Sequence, residues 1–214
     1  MKKIFVATSN PGKLRDFAGA AAAHNVQIEP IPNFAKLDSV VEDGMTFEEN
    51  ARKKADQYSL ALPGEIVLAD DSGLEVDALG GAPGIYSARY AGPDASDNEK
   101  IEKLLEQLGP VSAPKGARRA RFRCVLALAR KGDVLGMFEE VVEGEIADRP
   151  RGSHGFGYDP IFIPNGFQRT FGELDPAEKN QLSHRARALE KLAAFLIVRP
   201  DQQKKRSGYS IVGD

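Results

Sequence analysis

The stretch Ile66-Val67-Leu68-Ala69-Asp70-Asp71-Ser72-Gly73-Leu74 joins a short apolar run to two adjacent carboxylates and a glycine. The apolar run predicts a short buried strand over residues 66–69, and the glycine predicts a turn after it. Ligands of open α/β sheets bind beyond the carboxyl ends of such strands, where side chains are held more rigidly than on free loops. The stretch therefore predicts metal binding or general-base chemistry. The alternative is one capping aspartate beside one solvated turn aspartate.

The next segment is Gly80-Gly81-Ala82-Pro83-Gly84-Ile85-Tyr86-Ser87-Ala88-Arg89-Tyr90. Glycine and proline at this density, around aromatic rings and an arginine, cost conformational entropy to order. The composition indicates a segment that brings backbone close to another part of the protein or to a ligand.

The bulk composition is typical of a globular protein. The chain has 214 residues with 42% hydrophobic and 28% charged residues, enough for a substantial core. Lys+Arg number 29 against 31 Asp+Glu, so a nucleic-acid polymer or a membrane surface is not the implied partner. A phosphorylated small molecule remains possible, because a local cluster of cations is enough to bind it.

The single cysteine, Cys124, lies in an apolar run and cannot form an internal disulfide, which favours a reducing cytoplasm. The apolar residues after Met1 are too few for a signal peptide, and no run approaches the ~20 residues of a membrane span. We expect a cytoplasmic protein without a transmembrane helix.

Several patterns predict a mixed α/β fold. A strand at residues 4–7 precedes a helix at 14–23, and capping residues start further helices at Thr46, Ser96 and Ser183. Apolar runs at 120–129 and 134–146 around Lys131-Gly132-Asp133 predict a long antiparallel hairpin. The two prolines in residues 110–115 indicate a connection into a second lobe. We expect one two-lobed domain over residues 1–198 and a polar tail over 199–214.

The first candidate binding segment is Thr8-Ser9-Asn10-Pro11-Gly12-Lys13, between the first strand and the first helix. Backbone N–H groups at a helix N-terminus, the helix dipole and a lysine together can cradle a phosphate. The segment is not a Walker A loop, which would need glycine in place of Ala7 and Ser or Thr in place of Leu14. The alternative, which the residues support equally, is an ordinary strand–turn–helix with a capped helix start.

A second acidic cluster, Glu42-Asp43, precedes the helix that carries Asn50 and Lys54. Mg²⁺ is commonly held by one or two carboxylates together with substrate phosphate oxygens. The cluster therefore predicts a metal site, although surface acids before a helix are common.

Two further segments have the residue types of a nucleotide site. Gly155-Phe156-Gly157-Tyr158-Asp159-Pro160 sets two aromatic rings among glycines, which suits stacking on a purine base or, alternatively, a core turn. Ser183-His184-Arg185 places two donors at a helix start, where the dipole disfavours cations, so a ligand role is favoured. Lys179 and Arg89 complete a basic set that could surround a triphosphate.

In this order, these segments resemble the inosine triphosphate pyrophosphatase family, whose members hydrolyse non-canonical purine nucleoside triphosphates. The resemblance covers residues 3–196 and also includes Gly44-Met45-Thr46-Phe47-Glu48-Glu49-Asn50-Ala51. It implies an elongated two-lobed α/β fold with a mixed sheet flanked by helices, the active site in the cleft between the lobes, a homodimer and Mg²⁺ dependence. The products it implies are a nucleoside monophosphate and pyrophosphate.

The resemblance also assigns roles to residues of this chain. Asp71 would be the proton acceptor and a metal ligand. Many relatives carry two adjacent acids where this chain has Val41 before Glu42, which leaves Glu42 as the candidate second ligand. The residues implied or inferred to bind substrate are Thr8, Ser9, Asn10, Pro11, Gly12, Lys13, Lys54, Ser72, Arg89, Phe156, Gly157, Tyr158, Asp159, Lys179, His184 and Arg185.

The sequence therefore predicts a Mg²⁺-dependent pyrophosphatase acting on ITP, dITP and XTP. Rival hypotheses are a pyrophosphatase for modified pyrimidine or methylated nucleotides, a nucleotide sensor without catalysis, and a purely structural protein.

Overall fold

The computed structural model of the protein describes residues 3–24, 26–109 and 118–198. These residues form one mixed, curled sheet in the strand order β2-β1-β3-β4-β5-β6. Strand β1 runs parallel to β2 and β3, and the other neighbours are antiparallel. The strands are β1 (Lys3–Val6), β2 (Gln27–Pro30), β3 (Ile66–Val76), β4 (Arg119–Arg130), β5 (Asp133–Ile146) and β6 (Phe162–Pro164). The predicted mixed α/β class is confirmed.

Helices cover both faces of this sheet. They are α1 (Pro11–Ala22), α2 (Phe47–Ala61), α3 (Asp97–Leu108), α4 (Pro176–Leu182) and α5 (His184–Val198). Phe17 of α1 and Leu189 of α5 pack with Leu68 on one face. Ala51 and Ala55 of α2 pack with Val67 on the other. Consecutive strand residues point to opposite faces, so β3 contributes to both cores.

Local sequence signals account for most of these boundaries. The predicted hairpin is confirmed, since β4 and β5 pair from Arg130 and Asp133 to Arg119 and Glu145. Helix α3 begins with a complete capping box formed by Ser96 and Glu99. The turn and the caps are short-range features, so the sequence is sufficient to locate them.

The prediction that the strand ends at Ala69 and that a glycine turn follows is wrong. Strand β3 continues to Val76, and its antiparallel pairing with β4 passes through Asp70, Asp71 and Gly73 without a break. Pairing with a long neighbouring strand supplies backbone partners that a local reading of acids and glycine does not reveal.

Gly73 has a packing role instead of a turn role. A 3₁₀ segment, Gly84–Arg89, crosses the sheet face beside it. A Cβ at Gly73 would lie 2.4 Å from the Gly84 carbonyl oxygen and 2.4 Å from Ser87 Oγ. Ser87 Oγ also accepts a hydrogen bond from the Leu74 backbone N–H at 2.9 Å. The predicted close approach of residues 80–90 is therefore directed at β3.

We expect Gly73→Ala to destabilise the protein by about 1–3 kcal/mol, the usual cost of forcing extra atoms into a packed site. The methyl group would have to push the 3₁₀ segment off the sheet. Urea unfolding of both proteins measures this difference. An unchanged midpoint would show that the segment is not closely packed against β3.

A polar gap divides the sheet face that α1 and α5 cover. Leu68 belongs to one apolar cluster and Leu74 to another, and Asp70 and Ser72 lie between them on the same face. The division into two lobes stays a prediction. The proposed connection at 110–115 and the tail at 199–214 lie outside the described residues.

Within residues 3–24, 26–109 and 118–198, no helix has the length and apolar character needed to cross a membrane.

Candidate active site

A cavity of about 220 Å³ opens beside β3. Strand β1 pairs with β3 only as far as Leu68, and the 80–90 segment is hydrogen-bonded to β3 at Leu74, whose N–H donates to Ser87 Oγ. The cavity lies at the part of β3 between these two contacts. Its lining residues include Asp71, Ser72 and Gly73. Asn10, four residues after the end of β1, also lines the cavity.

One wall consists of two carboxylates joined by a lysine. Lys54 Nζ lies 2.9 Å from Asp71 Oδ1 and 3.1 Å from Glu42 Oε2. Asn50, which is 1% exposed, donates from Nδ2 to Asp71 Oδ2 at 3.3 Å and accepts the Gly44 N–H at 2.9 Å. These contacts hold the Glu42 loop, helix α2 and the Asp71 side chain in one arrangement.

Burial and charge act in opposite directions on this wall. Burial raises the pKa of Asp71 to about 6, and Lys54 opposes the shift. Burial would raise the pKa of Glu42 as well, but Lys54, together with Asp71 and Lys13, holds that pKa below its usual value. Burial lowers the pKa of Lys54, whereas Asp71 and Glu42 reverse this and raise it. A carboxylate with a pKa near neutrality suits a general base.

The two adjacent acids do not act as a pair, because consecutive strand residues point to opposite faces of the sheet. Asp70 Oδ2 lies 3.0 Å from Arg185 Nε and 3.4 Å from Lys13 Nζ. Burial would raise the pKa of Asp70, but these two cations hold it well below its usual range. Asp70 is thus ionised and anchors two cationic side chains, while Asp71 faces the cavity.

A buried chain of ion pairs continues from Arg185. Its Nη1 lies 3.0 Å from Asp16 Oδ2, and Asp16 Oδ1 lies 3.3 Å from Lys179 Nζ. Lys179 Nζ also binds Asp159 Oδ2 at 2.7 Å. Breaking a buried pair leaves an uncompensated charge, so these side chains fix one another's positions.

An aromatic ring lies above this chain of charges. The Phe156 ring centroid is 5.1 Å from the Arg185 guanidinium and 5.2 Å from Lys179 Nζ. A Cβ at Gly12 would lie 2.4 Å from the same ring. Gly157 has a φ of +58°, which permits the tight turn after Phe156. Helix α1 and the 155–160 turn therefore fit together at the cavity.

His184 presents unused hydrogen-bonding atoms in the cavity wall. It is 1% exposed, and its ring stacks on Phe122 with centroids 4.8 Å apart. Neither ring nitrogen has a hydrogen-bond partner among the described residues. Burial holds the pKa of His184 well below its usual value, so the ring is neutral, with one donor and one acceptor. A bound ligand could satisfy both.

Two backbone groups of the proposed phosphate cradle are already engaged. Asn10 Oδ1 accepts the N–H groups of Gly12 at 2.8 Å and Lys13 at 3.1 Å. The predicted Asn10 cap is thereby confirmed, and it uses these two N–H groups. The Lys13 side chain and Asn10 still line the cavity.

The cavity brings together most of the predicted site residues. Those in its wall are Asn10, Lys13, Glu42, Lys54, Asp71, Ser72, Arg89, Phe156, Gly157, Tyr158, Asp159, His184 and Arg185. Those outside its lining are Thr8, Ser9, Pro11, Gly12 and Lys179. Their substrate roles stay predictions, as do those of the lining residues.

Sequence reasoning missed Asp16 and Asp97 and gave Asn50 no role. Asp16 is spaced three residues after Lys13 on α1, a helical spacing that puts both on one face. Asp97 directly follows the capping residue Ser96, a position typical of a helix start, and it also lines the cavity with Lys100.

The fold is α/β, and its cavity is bordered by two carboxylates joined through a lysine and by an aromatic turn. The chain belongs to the Ham1 family, whose sequence profile matches residues 4–195. It is similar to the dITP/XTP pyrophosphatase of Geobacillus kaustophilus, with 50% identity over 90% of this chain and 93% of that protein. Its identity to the dITP/XTP pyrophosphatase of Bacillus subtilis is 45%, over 92% of this chain and 98% of that protein.

Solved structures show the same likeness. The Ham1 protein of Staphylococcus aureus has a TM-score of 0.78 at 43% identity, over 92% of this chain and 99% of that one. A HAM1 protein from Coxiella burnetii has a TM-score of 0.79 at 44% identity, over 93% of this chain and 100% of that one. The resemblance on which the sequence-based expectations rest is thereby confirmed.

Proposed function

We propose that the chain hydrolyses non-canonical purine nucleoside triphosphates, namely ITP, dITP and XTP, to the monophosphate and pyrophosphate. The observation that carries this proposal is the cavity, which is lined by Asp71, Lys54 and Glu42 and also by Phe156 with Arg185 beside its ring. The similar proteins named dITP/XTP pyrophosphatase support the same choice of substrate.

In the proposed reaction, Asp71 accepts a proton from water as the water attacks phosphorus. The attacked phosphorus belongs to the anhydride between the first and second phosphates, and the bond from phosphorus to the bridging oxygen breaks. Lys54 and Lys13 lower the energy of the transition state by neutralising phosphate charge. Their positions on two sides of β3 would let them contact different phosphates.

Glu42 and Asp71 fit a Mg²⁺ site. Both carboxylates lie within 3.1 Å of one Lys54 ammonium, so a cation between substrate and protein could share them. Among the described residues no group of three or more His, Cys, Asp and Glu side chains is arranged for a metal. Mg²⁺ accepts one or two carboxylates when phosphate oxygens and water complete its shell. When bound, it would supply charge neutralisation and polarise the phosphate.

The base would lie beside Phe156, His184 and Arg185. Hypoxanthine and xanthine carry an oxygen at C6, where adenine carries an amino group. A donor from Arg185 or His184 would satisfy that oxygen and would leave adenine's amino group against an unmatched donor. Guanine shares the C6 oxygen, so discrimination against guanine must depend on how the site meets the group at C2. Guanine carries an amino group there, whereas xanthine carries an oxygen.

The same family membership supports a homodimer and a cytoplasmic location as proposals. Sedimentation analysis of the purified chain tests the first, and fractionation of cells that express it tests the second.

A panel of nucleoside triphosphates, assayed for pyrophosphate with Mg²⁺ and with chelator, tests the proposed activity. We expect release from ITP, dITP and XTP to far exceed that from ATP and GTP and to require Mg²⁺. Faster turnover of dUTP or 5-methyl-UTP would favour the pyrimidine or methylated-nucleotide rival. Binding of a nucleotide without release of pyrophosphate would favour the rival hypothesis of a nucleotide sensor without catalysis. No ligand-induced change in melting temperature with any nucleotide would favour a structural role.

Lys13→Ala should weaken binding of ITP far more than binding of inosine, because the contact is with phosphate charge. Calorimetric titration of both ligands measures the difference. Arg15→Ala is the matched control, since Arg15 is an exposed cation on the same helix and outside the cavity lining. Equal weakening of both ligands by Lys13→Ala would assign residues 8–13 to helix capping alone.

A further inference from the structure

The turn that carries Phe156 is held from two sides by carboxylates. The Phe156 N–H donates to Oδ2 of the buried Asp159 at 2.8 Å. The next N–H, that of Gly157, donates to Asp97 Oδ2 at 2.6 Å. Asp159 belongs to the turn itself, whereas Asp97 is the first residue of helix α3. Helix α3 is therefore bonded directly to the turn.

Two neighbours stabilise the ionised form of Asp97. Lys100, one helical turn along α3, places Nζ 2.6 Å from Asp97 Oδ1. The N-terminal end of a helix also favours negative charge. Hydrogen bonds to ionised acceptors are shorter and stronger than neutral ones, which agrees with the short distance to Gly157.

The contact bears on the position of the Phe156 ring. Gly155 and Gly157 flank this residue with φ values of +78° and +58°, so the two neighbouring backbone positions have little intrinsic preference for one conformation. On the inner side, the ring is packed against the position where Gly12 would carry a Cβ. Asp97 supplies a second fixed point through its bond to Gly157, and both Asp97 and Phe156 line the cavity.

We propose that Asp97 is a positioning residue that fixes the Phe156 turn through Gly157 and thereby sets the selection of the purine base. The inference rests on the proposed function, in which the Phe156 ring covers the base. Asp97 acts through the backbone of the turn, and its contribution is the orientation of the ring.

The test compares Asp97→Ala with Asp97→Asn. The asparagine amide oxygen can still accept the Gly157 N–H, and the alanine cannot. For Asp97→Ala we expect KM for ITP to rise about 10-fold, as for the loss of a hydrogen bond to a charged group, with kcat changed less than about 3-fold. The preference for ITP over ATP should fall as well. In Asp97→Asn, both KM for ITP and this preference should stay close to those of the unmodified chain.

Glu99→Ala is the matched control for helix stability. Glu99 completes the capping box of α3 by accepting the Ser96 N–H at 2.7 Å, and it has no contact with Gly157 among the described residues. We expect this variant to lower the melting temperature and to leave KM and base preference unchanged. A rise in KM equal to that of Asp97→Ala would assign the effect to loosening of α3 and overturn the proposal.

Amide hydrogen exchange of Gly157, followed by NMR without nucleotide, separates this proposal from the proposed function. We expect faster exchange in Asp97→Ala than in the unmodified chain and in Glu99→Ala. A higher KM with unchanged exchange would mean that Asp97 contacts substrate directly, which contradicts a positioning role. If the unmodified chain hydrolyses no nucleotide, the proposed function fails, whereas the exchange result still decides whether Asp97 fixes the turn.

Discussion

Asp71→Asn is expected to lower kcat for ITP by at least ~100-fold, the lower range for removal of a general base. The substitution keeps the size of the side chain and removes both the proton acceptor and the charge that would bind metal. Asp71 is buried and accepts hydrogen bonds from Lys54 and Asn50, and the single amide oxygen of the asparagine can still accept the bond from Lys54. Nucleotide binding should be partly retained. Steady-state release of pyrophosphate, together with titration of ITP, measures both quantities.

Asp43→Asn is the matched control for this prediction. Asp43 belongs to the acidic cluster beside Glu42, but its side chain is exposed and pairs with Lys53 outside the cavity lining. We expect its activity to stay within a few-fold of the unmodified chain. If Asp71→Asn behaved like Asp43→Asn, the proton would have another acceptor and the assignment of Asp71 would be wrong.

Arg185→Ala is expected to lower kcat/KM for ITP by ~10-fold or more, about 1.4 kcal/mol, and to narrow the preference for ITP over ATP. It should also destabilise the fold by about 3 kcal/mol, because the pairs of Arg185 with Asp16 and Asp70 are buried. Each of these acids keeps a lysine partner, which limits the loss. Rates should therefore be measured well below the melting temperature of the variant.

Arg187→Ala provides the comparison for the Arg185 variant. Arg187 is an exposed arginine two residues further along α5 and outside the cavity lining. It should change neither the rates nor their ratio. A constant ITP-to-ATP ratio in Arg185→Ala, with both rates reduced, would make Arg185 a phosphate-binding or structural residue and place recognition of the base elsewhere.

The fold could be predicted where local chemistry determines it. Asn10 caps α1, Ser96 and Glu99 cap α3, and a short polar turn joins β4 to β5. The course of β3 could not be predicted in this way. Its acids and Gly73 are typical of a turn, and only pairing with β4 and the approach of the 80–90 segment explain why the strand continues.

The candidate site shows the same limit. The motifs identified Asp71, Phe156 and Arg185, which the structure brings to one cavity. The links between them depend on contacts between distant residues, such as Asp16 with Lys179 and Asp97 with Gly157. Such contacts have no local pattern, because Asp16 and Asp97 are each, taken alone, typical of a solvated acid on a helix.

The products formed from ITP test the central claim most directly. Phosphorus NMR of the reaction mixture with Mg²⁺ distinguishes cleavage between the first and second phosphates from cleavage between the second and third. The account predicts inosine monophosphate and pyrophosphate in equal amounts, with no diphosphate intermediate. Inosine diphosphate and inorganic phosphate as the products would contradict it.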